Sequence, residues 1–185
     1  MPYSQNTFDE DVQRLVREMA PARVLDVGVG AGKYSEIVRA ASPSARIIGI
    51  EICEDYVERY SLNVKYDELH IVSVVDFCRD NPDFSCDLVI IGDAIEHLSK
   101  SAGVDLVHYL IYRCKRCVVI WPSKYVQYSW QGQASEAHRS VWGARDFELF
   151  DHTIEARSFM NMAILVGYLD DPAAQLPAPM GYKPI

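Results

Sequence analysis

Apolar positions along the 185-residue chain follow first a helical pattern and then a regular alternation of strand-like and helical segments. Within residues 1–20, Val12, Leu15, Val16 and Met19 fall on one face of a predicted helix. Short continuous runs of Val, Ile and Leu follow, separated by amphipathic segments. The runs predict strands at residues 23–27, 46–50, 69–75, 87–91, 117–121, 152–159 and 162–169. The segments between them predict helices at residues 34–41, 55–62, 77–81 and 104–114.

This alternation predicts an α/β fold with a doubly wound, mostly parallel sheet covered by helices on both faces. The last two runs, joined by a short link that includes Asn161, predict an antiparallel hairpin at the sheet edge. We expect one domain over residues 1–185, with a loosely ordered tail at residues 170–185. Ligands bind such sheets beyond the carboxyl ends of the strands, so the residues after each strand are the candidates for a site.

The charge and the cysteines narrow the choice of partners. The formal net charge of -8 repels polyphosphate, so we expect no nucleic-acid partner. Neither a signal peptide nor a membrane-spanning run is visible, which favours a cytoplasmic protein without a membrane partner. Cys114 and Cys117 form a C-x-x-C pair that could be half a zinc site or a redox pair. No second pair of ligands follows at finger spacing, so we expect buried, reduced thiols.

A glycine-rich stretch, with the sequence D-V-G-V-G-A-G at residues 26–32, joins the first predicted strand to the next helix. Glycines there let a ligand approach the backbone, and a helix N-terminus attracts anions. The phosphate-binding P-loop pattern fails at Val27 and Tyr34. The dinucleotide pattern G-x-G-x-x-G fails when it is started at Gly28 and is marginal when started at Gly30. The pattern D-x-G-x-G-x-G matches at every fixed position.

With this motif the chain resembles the class I S-adenosylmethionine-dependent methyltransferases, over roughly residues 20–122. The resemblance implies a Rossmann-like sheet of seven strands, S-adenosylmethionine as the cofactor, and methyl transfer as the activity. It implies cofactor contacts at Asp26, Gly28, Gly30, Gly32, Glu51, Ile52, Asp76, Phe77 and Asp93.

Three acidic residues, each after its own predicted strand, extend the resemblance beyond the glycines. Glu51 ends the second strand, where the family's acid accepts hydrogen bonds from the ribose hydroxyls. Asp76 matches the position that holds the adenine amino group, and Phe77 beside it is placed to stack on the ring. Asp93 begins a D-A-I-E-H-L stretch that is similar to the family's fourth motif.

Two histidines are candidates for the proton-accepting group, because an imidazole titrates near neutrality. His97 follows the fourth strand, and His138 lies in the long segment after the fifth strand. The alternatives are a capping or orienting role for His97 and an ordinary surface loop position for His138. His70, His108 and His152 lie within or beside predicted elements and are expected to be structural.

Residues 121–147 form a long, aromatic-rich stretch, here termed the 121–147 segment. Loops of that length in compact domains are usually functional or disordered. Aromatic rings with polar tips suit a half-apolar pocket, so the segment is expected to cover the methyl acceptor, unless it is an ordinary packed loop. The candidate acceptor contacts are Tyr125, Tyr128, Trp130, Arg139 and Trp142.

The expected activity is O-methylation of a small molecule, of the natural-product or sugar type. The H-x-S-x-W stretch at residues 138–142, followed by Asp146 and Phe147, is similar to a pattern in some bacterial enzymes of such pathways. Alternatives are a protein or nucleic-acid methyltransferase, a non-catalytic methyltransferase-like subunit, and a dinucleotide-dependent reductase. No compact group of Asp, Glu and His stands out at ligand spacing, so we expect no metal. The edge hairpin predicts a contact in a homodimer.

Overall fold

The computed structural model describes residues 4–170. This part of the chain alternates strands and helices as the apolar pattern predicts. The strands are β1 (Arg23–Val27), β2 (Arg46–Glu51), β3 (Glu68–Ile71), β4 (Leu88–Gly92), β5 (Arg116–Pro122), β6 (His152–Arg157) and β7 (Met160–Val166). The helices are α1 (Asp9–Met19), α2 (Lys33–Ala41), α3 (Glu54–Arg59), α4 (Val74–Asp80) and α5 (Lys100–Ile111).

The strands form a seven-stranded sheet in the order β3-β2-β1-β4-β5-β7-β6. Strands β1 to β5 pair in parallel, whereas β7 is antiparallel to both β5 and β6. The doubly wound, mostly parallel sheet with an antiparallel hairpin is therefore confirmed. The strand order reverses between β1 and β4, and such a switch point opens a crevice at the carboxyl ends of the strands.

Each sheet face is covered by its own group of helices, because successive strand residues point to opposite faces. Val24 packs with residues of α1 and α2, whereas the next residue, Leu25, packs with residues of α4 and α5. Every residue of β4 is buried. The run of continuous apolar residues in the sequence is thus explained by burial on both sides.

One predicted strand was wrong in its second half. The prediction extended over residues 69–75, but β3 ends at Ile71 and α4 begins at Val74. Ser73 caps the helix, since its hydroxyl oxygen accepts a hydrogen bond from the Asp76 backbone N–H at 3.1 Å. The β-branched residues after β3 imitate a strand, while the Ser-x-x-Asp spacing carries the opposing signal of a helix start.

Two other boundaries differ for similar local reasons. Helix α5 begins at Lys100 rather than residue 104, since the Ser99 hydroxyl accepts a hydrogen bond from Ala102 N–H. Asn161 lies inside β7 rather than in the hairpin link, and the chain instead turns near Ser158, which adopts a left-handed φ of 57°.

The remaining predictions on chain organisation concern the cysteines, the tail and the membrane. Cys114 and Cys117 are buried free thiols, and burial raises the pKa of each. Of the predicted loosely ordered tail, residues 171–185 lie outside the described residues. Among helices of the described part, none has the length and apolar character needed to cross a membrane.

Candidate functional site

The glycine-rich loop lies at the carboxyl end of β1 and joins this strand to α2. Gly28, Gly30 and Gly32 adopt left-handed φ angles of 70°, 51° and 83°, a region that glycine enters without steric cost. At Gly28 a methyl group would lie 2.6 Å from the Cβ of Ala94. The loop therefore approaches the residues after β4 closely, and a side chain at this position would force the two apart.

Glu51 at the end of β2 is held by the backbone around it. One carboxylate oxygen accepts from Gly30 N–H at 3.0 Å, and the other accepts from the N–H groups of Ile52 and Cys53 at 2.9 and 2.8 Å. Burial raises the pKa of Glu51, although these three donors act in the opposite direction. A carboxylate oxygen has room for a further donor, so Glu51 is a fixed acceptor at the cleft wall.

A cleft opens beside this loop, and clefts are the usual form of small-molecule sites. We term it the glycine-loop cleft. It lies at the carboxyl ends of β1 to β4, as the switch-point rule predicts. Its lining comprises Ser4, residues 27–30, Lys33, Tyr34, residues 50–52, residues 72–74, residues 91–94, His97, Leu98, Ser135 and Glu136.

Five predicted cofactor contacts line this cleft, namely Gly28, Gly30, Glu51, Ile52 and Asp93. Gly32 and Asp26 are not among the residues that line it. Asp26 is 1 % exposed and accepts a hydrogen bond from the Tyr66 hydroxyl at 2.6 Å. Burial raises the pKa of Asp26 to about 7. Its side chain supports the loop from below and does not face the cleft.

Asp76 and Phe77 are the clearest departures from the predicted contacts. Asp76 lies in the first turn of α4, where it accepts hydrogen bonds from Ser73 and Arg79. Phe77 is buried in the core and packs edge-on against Phe84, with 5.2 Å between the ring centroids. The chain turns into α4 before reaching either residue, and residues 72–74 form the cleft wall beyond β3.

Asp93, directly after β4, has a strained backbone. Its φ of 59° is left-handed, and its N–H donates to the Ile120 carbonyl at 2.9 Å. Non-glycine residues in this region cost of order 1–3 kcal/mol and concentrate at functional sites. Asp93 lines the glycine-loop cleft and also a second cleft next to it.

The second cleft is termed here the histidine cleft. Its lining comprises Gln5, Asp93, His97, Pro122, Tyr125, Gln127, His138, Phe159 and Met160. Asp93 and His97 belong to the linings of both clefts. The two clefts therefore meet at the carboxyl end of β4.

The structure brings the two predicted catalytic histidines together. The ring centroids of His97 and His138 are 5.0 Å apart. Nδ1 of His97 lies 3.3 Å from the Ala137 carbonyl oxygen, and Nδ1 of His138 lies 2.9 Å from that of Tyr125. A carbonyl only accepts, so each Nδ1 donates, and in the neutral form of each ring Nε2 keeps the lone pair. Burial lowers the pKa of His97, which favours its neutral form.

Glu96, beside His97, was missed by sequence reasoning. It is 3 % exposed, and neither carboxylate oxygen has a hydrogen-bond partner among the described residues. Burial, reinforced by the neighbouring Asp93 carboxylate, raises the pKa of Glu96 well above its usual range. The available signal was its place within D-A-I-E-H-L, one residue before His97.

The 121–147 segment divides into exposed and anchored positions. Tyr125 lines the histidine cleft, whereas Tyr128 and Arg139 are exposed and Trp130 lies outside both clefts. Trp142 is 5 % exposed and packs in the core against Phe147. The structure thus places one of the five predicted acceptor contacts in a cleft.

Trp142 attaches the segment to the sheet. Its indole N–H donates to the Ser140 hydroxyl at 2.8 Å, and its carbonyl accepts from the indole N–H of Trp121 at 3.0 Å. The Lys100 ammonium lies 3.6 Å from its ring centroid, in cation–π geometry. Trp142 is therefore a structural anchor.

Glu136 is another cleft residue that the sequence did not reveal. It accepts a hydrogen bond from the Tyr56 hydroxyl at 2.7 Å and thereby ties the segment to α3. Its carbonyl accepts from the Gln127 side-chain amide at 2.6 Å. The position of an acid two residues before His138 was visible, but its pairing with α3 depends on tertiary structure.

Comparison with known proteins identifies a family for most of the part of the chain that forms the glycine-loop cleft. The profile of the methyltransferase domain family matches residues 24–116, which include the glycine loop and β1 to β4. No curated protein sequence shows significant similarity to the chain.

Three solved structures illustrate the fold likeness. A SAM-dependent methyltransferase from Archaeoglobus fulgidus has 18 % identity and a TM-score of 0.61, with coverage of 85 % of this chain and 94 % of its own. The N-terminal domain of EvdMO1 with SAH bound has 13 % identity and a TM-score of 0.59, with coverage of 89 % and 82 %.

The third is an O-methyltransferase family protein from Burkholderia thailandensis, with 12 % identity and a TM-score of 0.59. The alignment covers 86 % of this chain but 58 % of that protein, so the chain spans little more than half its length. At these identities the likeness concerns the fold. The profile match over half of the sequence, together with the glycine loop and the strand order, shows that the chain belongs to the methyltransferase domain family, as a class I enzyme with S-adenosylmethionine as its cofactor.

Proposed function

We propose that this enzyme transfers the methyl group of S-adenosylmethionine to a hydroxyl group of a small molecule of the natural-product or sugar type. The observation that carries the proposal is the shared wall of the two clefts, formed by Asp93 and His97. Methyl transfer is an in-line displacement, so donor and acceptor must meet within a few ångströms. Adjoining clefts with a common wall meet that requirement.

The glycine-loop cleft is the proposed donor site. The Glu51 carboxylate is fixed by three backbone N–H groups and keeps acceptor capacity for the two ribose hydroxyls. Val72 and Val74 supply apolar wall beyond β3 for the adenine ring. The glycine loop lets the cofactor approach the backbone between these two features.

The histidine cleft is the proposed acceptor site. It combines apolar groups, such as Phe159 and Met160, with the polar side chains of Gln127 and the two histidines. A few placed polar groups in an apolar cleft are typical of small-molecule sites. His97 and His138 both line this cleft, where they are placed to activate the acceptor hydroxyl.

A small acceptor agrees best with the shape and charge of this region. The histidine cleft is concave and presents a few polar groups among apolar ones, and the net charge of -8 disfavours a nucleic acid. The neighbour from Burkholderia thailandensis is described as a member of an O-methyltransferase family, which supports oxygen as the acceptor atom. The 121–147 segment, tied down at Trp142 and Glu136, forms the cover of this site in our proposal.

The homodimer stays a prediction. Strand β6 is the outer strand of the hairpin and most of its residues are exposed. An unpaired edge strand can align with a second copy. Analytical ultracentrifugation would test it.

The experiment that tests the acceptor class uses tritiated S-adenosylmethionine and fractionated cell extract. We expect label to pass into the low-molecular-mass fraction in an enzyme-dependent manner. A His97→Ala variant that binds S-adenosylhomocysteine serves as the inactive control. Enzyme-dependent label confined to protein or nucleic acid would contradict the proposal.

A further inference from the structure

The buried carboxylate of Glu96 lacks a compensating group. Both of its oxygens are without hydrogen-bond partners in the described part of the chain, and the Asp93 carboxylate lies beside it. Burial and the Asp93 carboxylate raise the pKa of Glu96, so the group carries its charge only when a cation lies beside it, because a buried charge is costly unless it is paired or coordinates a metal. The sequence predicts no metal site, but that prediction considered ligand spacing along the chain and not the burial of Glu96.

Two imidazoles lie beside Glu96. One ring nitrogen each of His97 and His138 and one carboxylate oxygen of Glu96 lie within 4.8 Å of one another. Both rings donate their Nδ1–H to backbone carbonyls, those of Ala137 and Tyr125. Metal-binding histidines nearly always donate their second ring N–H in this way, because that bond fixes the orientation of the ring.

We propose that Glu96, His97 and His138 bind one divalent first-row transition-metal ion, such as Mn²⁺, Fe²⁺, Co²⁺ or Zn²⁺. Two imidazoles with a carboxylate suit these ions better than Mg²⁺ or Ca²⁺, which prefer oxygen ligands. Ligands about 2.1 Å from one ion in tetrahedral geometry lie ~3.4 Å apart, so the three ligand atoms, now within 4.8 Å of one another, approach each other by up to ~1.4 Å on binding. Asp93 adds negative charge beside the site.

The ion would lie at the wall of the histidine cleft, because His97 and His138 both line that cleft. Three protein ligands leave coordination positions open, as in catalytic metal sites. This role depends on the proposed function: the acceptor hydroxyl binds an open position, and the ion lowers the pKa of that hydroxyl. The hydroxyl proton passes to water, the O–CH₃ bond forms, and the S–CH₃ bond breaks with its electron pair left on the sulfur of S-adenosylhomocysteine.

Titration of chelator-treated protein with Co²⁺ tests the site without any need for activity. We expect one bound ion per chain by calorimetry, with visible ligand-field absorption typical of imidazole and carboxylate ligands. Glu96→Gln and His138→Ala should each weaken Co²⁺ binding at least ~10-fold. Removal of a residue that only supports a metal ligand already costs about 10-fold or more in metal affinity, so removal of a ligand should cost no less. His108→Ala, an exposed histidine of α5, should bind as the unaltered protein does.

Binding of S-adenosylhomocysteine is measured on the same samples, so that folding and the donor site are monitored separately. Retained S-adenosylhomocysteine binding without stoichiometric Co²⁺ binding would overturn the metal inference and leave the proposed methyl transfer standing. Equal Co²⁺ affinity for Glu96→Gln, His138→Ala and His108→Ala would also overturn it. Stoichiometric Co²⁺ binding without S-adenosylhomocysteine binding would support the metal site and contradict the proposed donor site.

Discussion

The two clefts differ in how the chain builds them. The glycine-loop cleft is formed by residues that directly follow β1 to β4, and its main polar contacts are backbone N–H groups and Glu51. The histidine cleft depends on the 121–147 segment, which returns across the sheet to bring His138 beside His97. The first cleft is set by local sequence and sheet topology, the second by long-range packing. The first therefore carries the family motif, and the second holds the acceptor in our proposal.

The largest effect that separates the clefts is expected at His138. It lines the histidine cleft and is absent from the lining of the glycine-loop cleft. We expect His138→Ala to lower kcat about 10²–10⁴-fold, the usual contribution of a placed proton-transfer or activating group. The Kd for S-adenosylhomocysteine should change less than twofold. Steady-state kinetics and calorimetry measure the two quantities, and a matching loss in both would remove the distinction between the clefts.

Trp142 should affect stability rather than acceptor binding. It is 5 % exposed and packs against Phe147, so Trp142→Ala should lower the free energy of unfolding by about 3–5 kcal/mol. Tyr128, at 87 % exposed, offers a matched aromatic control in the same segment, with an expected change within about 0.5 kcal/mol. Urea unfolding measures both. A stable Trp142→Ala variant with a raised KM for the acceptor would restore the original prediction of substrate contact.

Below the glycine loop, Asp26 should make stability depend on pH. Its pKa is raised from 3.8 to about 7 in the folded protein, so the folded state holds a proton that the unfolded state has lost across that window. Stability therefore falls as pH rises through the window, by at most about 1.4 kcal/mol per pH unit from this group, and levels off above it.

Asp26→Asn removes this titration while an amide oxygen can still accept from the Tyr66 hydroxyl. The variant should therefore gain stability relative to the unaltered protein between pH 5 and pH 7, a range set by the same pKa shift. Urea unfolding of both proteins across this range measures the difference. A difference that is independent of pH would show that Asp26 titrates normally.

The smallest effect is expected at Asp76, which forms its contacts within α4 and with Arg79, outside both clefts. Asp76→Ala should change the Kd for S-adenosylhomocysteine less than twofold by calorimetry. A tenfold or greater loss of affinity would show that Asp76 takes part in cofactor binding.

The sequence predicted the sheet, its hairpin and five residues of the glycine-loop cleft, because these depend on apolar periodicity and on residues that directly follow strands. It extended β3 too far because Val72, Val74 and Val75 resemble a continued strand, while the cap at Ser73 begins a helix that includes Asp76.

The histidine cleft was harder to predict, since its contacts join residues far apart in the chain. Both histidines were identified individually, but their proximity depends on the path of the 121–147 segment. Trp142 was assigned to the acceptor because an aromatic residue in a long loop does not reveal whether it faces a cleft or the core. Burial of Glu96 without a partner is likewise a property of packing that no local pattern contains.

The central claim is that Glu51 holds the cofactor ribose in the glycine-loop cleft, and calorimetry with S-adenosylhomocysteine tests it most directly. We expect micromolar binding to the unaltered protein. Two hydrogen bonds to a carboxylate contribute about 1.5–3 kcal/mol each, so Glu51→Ala should weaken binding ~100-fold or more. Glu54→Ala, an exposed acid in the first turn of α3, is the matched control and should bind normally. Absence of binding to the folded, unaltered protein, or a Glu51→Ala affinity within twofold of it, would contradict the account.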